Sequence, residues 1–128
     1  MLVAGSIPEH TFHQEVLEVL PLIRSNGRLI AHTMAETFSA LTRRPDPHPA
    51  ARVTRYLRQF LEQPPVGLPP GSYYKALENL ANGEVLGGAV YDGLIAATAK
   101  HAGLRLLSLD RRAVRTYAML DVDYEILI

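Results

Sequence analysis

Apolar positions repeat first at helical spacing and later in short solid runs. Phe12, Val16, Val19, Leu20 and Ile23 fall near one face of a helix over residues 12–24. Pro21 weakens that helix's last turn and Asn26-Gly27 ends it. Residues 28–33, Arg-Leu-Ile-Ala-His-Thr, predict a buried strand, and 35–44 a helix. After a proline-rich loop at 45–49, Val53, Tyr56, Leu57 and Phe60 mark one side of an amphipathic helix over 50–63. Arg52, Arg55 and Arg58 of that helix read most simply as a solvated face. Residues 64–71 admit at most a short extended piece. A helix over 72–83 follows, with Ser72 as N-cap and Gly83 as terminator. Gly87-Gly88 is a break, and the next helix, over 90–102, closes at Gly103. Residues 104–109, Leu-Arg-Leu-Leu-Ser-Leu, form a second buried strand, 111–120 a helix, and 123–128 a last strand.

Helices alternating with short apolar strands predict an α/β domain with a mainly parallel sheet covered on both faces. At 128 residues the chain suits one domain with a real core, spanning residues 1–128.

Charge changes the picture little. Thirteen basic and thirteen acidic side chains cancel, so any nucleic-acid contact needs a local patch. Arginines do cluster, at 43–58 and at 105–115. The absence of cysteine excludes thiolate metal sites, disulfides and cysteine nucleophiles. No apolar run approaches the roughly 18 residues of a membrane span, and the start lacks the basic segment of a signal peptide. We expect a cytoplasmic protein without membrane contact.

Candidate chemistry rests on three acids. Asp92 and Asp110, eighteen positions apart, bracket an apolar segment with no other acid. Asp110 directly follows the 104–109 strand, Asp92 lies in the first turn of the 90–102 helix, and Glu36 in the first turn of the helix after 28–33. In open α/β sheets, ligands collect at the carboxyl ends of the strands. Each acid also has a plain structural role: a first-turn acid favours the helix dipole, and an Asp after a strand caps the next helix. If they converge, their repulsion is relieved by a hard divalent cation. Oxygen-only ligands favour Mg²⁺ or Mn²⁺ over Zn²⁺. Such a site suits phosphodiester hydrolysis. The five histidines have no metalloprotease spacing, no Walker A or dinucleotide fingerprint is present, and no serine has a recognisable His partner. Ser108, two residues before Asp110, is either support for a bound water or a small core residue.

Three blocks then carry a family resemblance: AHTMAETFSALTR, GGAVYDGLIAATAKHAG and LRLLSLDRRAVRTYAMLDVDYEIL. In this order they resemble the PIN-domain family, most closely VapC-type toxins of bacterial toxin–antitoxin systems. The pair YDGLIAATA and LLSLDRRA is the specific part. The resemblance implies a three-layer α/β/α fold and a Mg²⁺- or Mn²⁺-dependent endoribonuclease that cleaves tRNA or rRNA and inhibits translation. It implies metal ligands at Glu36, Asp92 and Asp110, the acids the spacing selected. It also implies a homodimer neutralised by a VapB-type antitoxin. Arg43, Arg111 and Arg112, with Ser108, are candidates for substrate binding.

The chain departs from the family at its start. The family's first strand ends in Asp-Thr-Asn/Ser followed by Val-Leu-Val-Ala, and here Met1-Leu2-Val3-Ala4 matches only that last part. The first Asp and most of its strand would fall before Met1, and Met1 stands where the family has Val. A GTG codon reads as Val internally and as Met at a start, so we expect the missing Asp to be encoded upstream. Losing a central strand leaves neighbouring backbone groups to be satisfied elsewhere. Two other readings compete: a catalytically inactive PIN-like module that binds antitoxin or RNA without cleavage, and a small ligand-binding domain whose acids are only caps.

Overall fold

The computed structural model describes residues 1–128, which divide into two compact units, 1–65 and 66–128. In the first, α1 (Leu2–Ser6) and α2 (His13–Asn26) are followed by α3 (Ala31–Thr42) and α4 (Ala50–Arg58). Helix α1 packs on α2 and α3, and α3 on α4. Leu2, Ala4, Val16, Leu20, Leu41 and Val53 are buried. Their spacing on α2 and α4 is the one the apolar pattern predicted.

Helix α2 continues through Pro21. Proline removes the hydrogen bond to the carbonyl four residues back, which belongs to Leu17. Both residues are exposed, so the freed acceptor is not sealed in the core.

The strand predicted at 28–33 does not form. Only the segment up to Ile30 is extended, and Ala31 already begins α3. Ala31, a strong helix former inside the predicted strand, opens α3, and Met34, Ala35 and Glu36 carry it on, so α3 starts four residues earlier than expected. Arg28 anchors this extended segment, its Nε and Nη2 donating to the Pro64 carbonyl at 3.1 and 2.7 Å. Helix α4 is shorter than predicted because Gln59, Phe60 and Leu61 tighten into turns, their amides bonding three residues back. That winding buries Phe60.

The second unit contains α5 (Pro70–Asn82), α6 (Ala89–His101), β1 (Leu106–Ser108), a 3-10 turn (Arg111–Ala113), α7 (Val114–Met119) and β2 (Tyr124–Ile126). Ser72 does not cap α5. Pro70 occupies the first helical position, where its fixed φ suits a helix and its missing N–H costs nothing. Ala76, Leu80 and Leu94 form the buried centre, with Val85, Val90 and Leu120 packed around it.

All three helices of this unit end alike. Val85, Leu104 and Val122 donate amides to the carbonyls of Leu80, Ala99 and Tyr117, five residues back. In each, the preceding residue adopts positive φ: Glu84 at 56°, Gly103 at 68° and Asp121 at 53°. These are Schellman terminations.

Strands β1 and β2 pair in parallel, Leu106 opposite Tyr124 and Ser108 opposite Ile126, with the 3-10 turn and α7 as the crossover. The parallel α/β class predicted from the sequence is borne out. The sheet is smaller than expected, since β1 and β2 are its only strands.

Candidate active site

Asp110 sits where strand β1 gives way to the 3-10 turn. Its Oδ1 accepts the backbone N–H of Arg112 at 2.9 Å and the Arg112 Nε at 3.3 Å. The carboxylate thus caps the turn, the structural role expected of an Asp after a strand. Both contacts fall on one oxygen, leaving Oδ2 open on a half-buried side chain. The Arg112 side chain is 93% exposed, so this pair is worth little in water.

The backbone of Asp110 is held as well. Its N–H donates to Ser108 Oγ at 3.0 Å, and that hydroxyl lies 3.2 Å from Tyr117 Oη. Tyr117 is buried on α7 and packs obliquely against Tyr124, with ring centroids 5.4 Å apart. Ser108 is therefore neither free nor a mere core filler: it fixes the turn that presents Asp110. Tyr117 escaped the sequence reading, because nothing in an apolar helix marks which tyrosine reaches back to the preceding strand.

Asp92 lies in the first turn of α6, half-buried, where the helix dipole favours a negative charge. Gly87, at φ +59°, makes the turn that starts this helix. The next residue after Asp92 explains its setting. A Cβ on Gly93 would come within 2.4 Å of the Leu80 side chain, so only glycine lets α6 approach α5 this closely. The Tyr-Asp-Gly triplet therefore couples an acid to a packing requirement.

Glu36 is placed differently from the expectation. Because α3 begins at Ala31, Glu36 lies in its second turn, not its first, and is exposed. Its Oε1 is 3.7 Å from His32 Nε2, one helical turn earlier, an ion pair when the imidazole is protonated. Arg43, exposed, is the C-cap of the same helix. Arg111, also exposed, donates through Nη2 to the Ile128 carbonyl.

The structure brings Ser108, Asp110, Arg112 and Tyr117 into one hydrogen-bonded group. No three His, Asp or Glu side chains come together as a metal-binding group. The carboxylates of Glu36 and Asp110 are each turned toward a partner on their own element. In donor chemistry the three acids suit a hard divalent cation, being oxygen ligands without sulfur.

The PIN domain family matches residues 3–119. Ribonuclease VapC40 of Mycobacterium tuberculosis, strains CDC 1551 / Oshkosh and ATCC 25618 / H37Rv, is 41% identical over 128 residues, covering 98% of this chain and 93% of that protein. Ribonuclease VapC27 of strain ATCC 25618 / H37Rv is 35% identical over 118 residues, covering 88% of this chain and 82% of that protein. The α/β/α fold class expected from the motifs follows from the same match. With a domain match over most of its length and such relatives, the chain belongs to the PIN-domain family, among its VapC-type members.

Proposed function

We propose that this chain is a VapC-type toxin, an endoribonuclease that cuts tRNA or rRNA and so inhibits translation. The observation that carries the reading is the 41% identity to Ribonuclease VapC40 along nearly the whole chain. Residues 1–128 act in this reading as a single PIN domain. A VapB-type antitoxin neutralises it, the active form is a homodimer, and the setting is the cytoplasm. No helix is long and apolar enough to cross a membrane.

Asp92, Asp110 and Glu36 would hold Mg²⁺ or Mn²⁺, which when bound supplies an activated water and charge stabilisation for phosphodiester hydrolysis. The rest of the work falls to the chain's own residues. Ser108 and Tyr117 hold the Asp110 turn, so that Oδ1 remains on Arg112 and Oδ2 is left for another partner. Arg112 and Arg111 add positive charge beside Asp110, and Arg43 adds it beside α3; these guanidiniums would hold RNA phosphates.

The test is cleavage of a structured RNA by the purified chain with Mg²⁺ or Mn²⁺, against the same reaction in EDTA. Asp92→Asn keeps the shape of the side chain and removes its charge. We expect cutting by the parent and its loss in Asp92→Asn. A parent chain that binds antitoxin but never cuts, also when extended upstream to include the family's first Asp, would overturn the reading.

A further inference from the structure

The first unit carries a half-open cavity of ≈ 600 Å³, walled by α1, α2 and α4. Its polar lining is one-sided. Residues 1–65 hold seven arginines and six acids, yet Arg24, Arg52 and Arg55 line the cavity and no Asp or Glu does. None of the three is in an ion pair with a carboxylate. Unpaired like charges around one concavity raise its positive potential, and a bound anion relieves it.

The guanidiniums are positioned rather than scattered. Arg24 lies over the Phe60 ring, 5.7 Å from its centroid, and Phe60 meets Tyr56 edge-on at 5.4 Å. Arg52 and Arg55 stand three residues apart on α4, on one face of the helix. Tyr56 Oη donates to the Leu2 carbonyl at 2.8 Å, which fixes the ring at the cavity wall. Leu17, Leu20 and Val53 provide an apolar side to the same space.

The volume and the mixed lining decide the class of ligand. Ligand pockets span roughly 300–1,000 Å³, and a bare phosphate would fill only part of this one. Three guanidiniums match phosphate oxygens, and an apolar and aromatic wall matches the face of a base. We propose that this cavity is a nucleotide-binding site, separate from the three acids, that holds one phosphate-and-base unit of an RNA strand. The choice of an RNA strand over a free nucleotide rests on the ribonuclease reading; the positive, half-apolar cavity does not.

The experiment is fluorescence anisotropy of a labelled single-stranded RNA with the full chain in EDTA, which stops cutting and leaves the arginines charged. Arg52→Gln with Arg55→Gln removes two guanidiniums from an exposed helix face, and circular dichroism confirms the fold. Arg52→Lys with Arg55→Lys keeps the charge. We expect the Gln pair to weaken binding about tenfold and to lower the log–log salt slope by about 0.7 per lost phosphate contact. The Lys pair should retain most of the slope. Uridine monophosphate should displace the RNA at lower concentration than inorganic phosphate does. Unchanged affinity in the Gln pair overturns the site. Arginine-dependent binding of the mononucleotide without binding of RNA overturns the strand assignment. A chain that binds RNA in this way and cuts nothing removes the ribonuclease reading and leaves the site. A chain that cuts while the Gln pair binds normally does the reverse.

Discussion

Tyr56 shows how one side chain carries structure and electrostatics together. Burial pushes its phenol up to about 12 from the ordinary 10.0, and the nearby Arg24 opposes the rise. The folded chain thus holds this proton more tightly than the unfolded chain does. The resulting stability is fully present below pH 10.0, the unfolded value, and is lost as the pH climbs toward 12. An alkaline unfolding series should therefore show a fall in melting temperature across that window, and Tyr56→Phe should abolish this component. The same substitution leaves the carbonyl of buried Leu2 without its donor, at a cost of about 1–3 kcal/mol at neutral pH.

At the scale of elements, two positions in the second unit separate what the sequence states from what it hides. Gly93 reads as part of a motif, yet the contact it permits is with Leu80 on a neighbouring helix. Gly93→Ala should destabilise by about 1–3 kcal/mol through overpacking, measured by chemical denaturation. Glu84 is the opposite case. It holds a left-handed conformation at the end of α5 without being glycine. Glu84→Gly should raise stability by about 0.5–1 kcal/mol, because glycine adopts that conformation without steric cost.

Amphipathic helices were legible because their buried residues recur locally: Val16, Leu20 and Ile23 on α2, Val53 and Leu57 on α4. The strands were legible only where pairing could extend along the solid apolar run. Residues 104–109 found β2, whereas 28–33 keeps a single bridge residue, Ile30, before it yields to α3. The start of α5 lies before Ser72 because the prolines ahead of it already fix φ. The acids could be read from motif order, but their local partners could not. Whether Asp110 turns toward Arg112, or Glu36 toward His32, depends on rotamers. The arginine cavity was hidden for a related reason. Arg52 and Arg55 look solvated from their own helix, and Arg24 joins them only through the packing of α2 within the first unit.

Across the whole molecule the charges cancel, so binding of a polyanion depends on where arginines gather and not on a global field. The acids make the complementary prediction. If Asp92, Asp110 and Glu36 share a cation in the folded chain, divalent metal stabilises the native state by mass action, about 2.7 kcal/mol at a hundredfold excess over Kd. Melting temperature should rise with MnCl₂ or MgCl₂, return to its starting value with EDTA, and respond less in Asp92→Asn. An identical melting curve with and without metal would mean that the acids serve only as caps and dipole partners.

The Arg28 contact has a consequence for the lifetime of the chain in the presence of proteases. By holding the Pro64 carbonyl, Arg28 ties an exposed, proline-bordered stretch back to a point 36 residues earlier. A stretch bound at both ends enters a protease cleft poorly, since cleavage needs several residues free to extend. Arg28→Gln releases it. Limited digestion by a protease of broad specificity should then nick the variant around residues 61–64 well before the parent, yielding two fragments of similar size while circular dichroism of the uncut proteins remains the same.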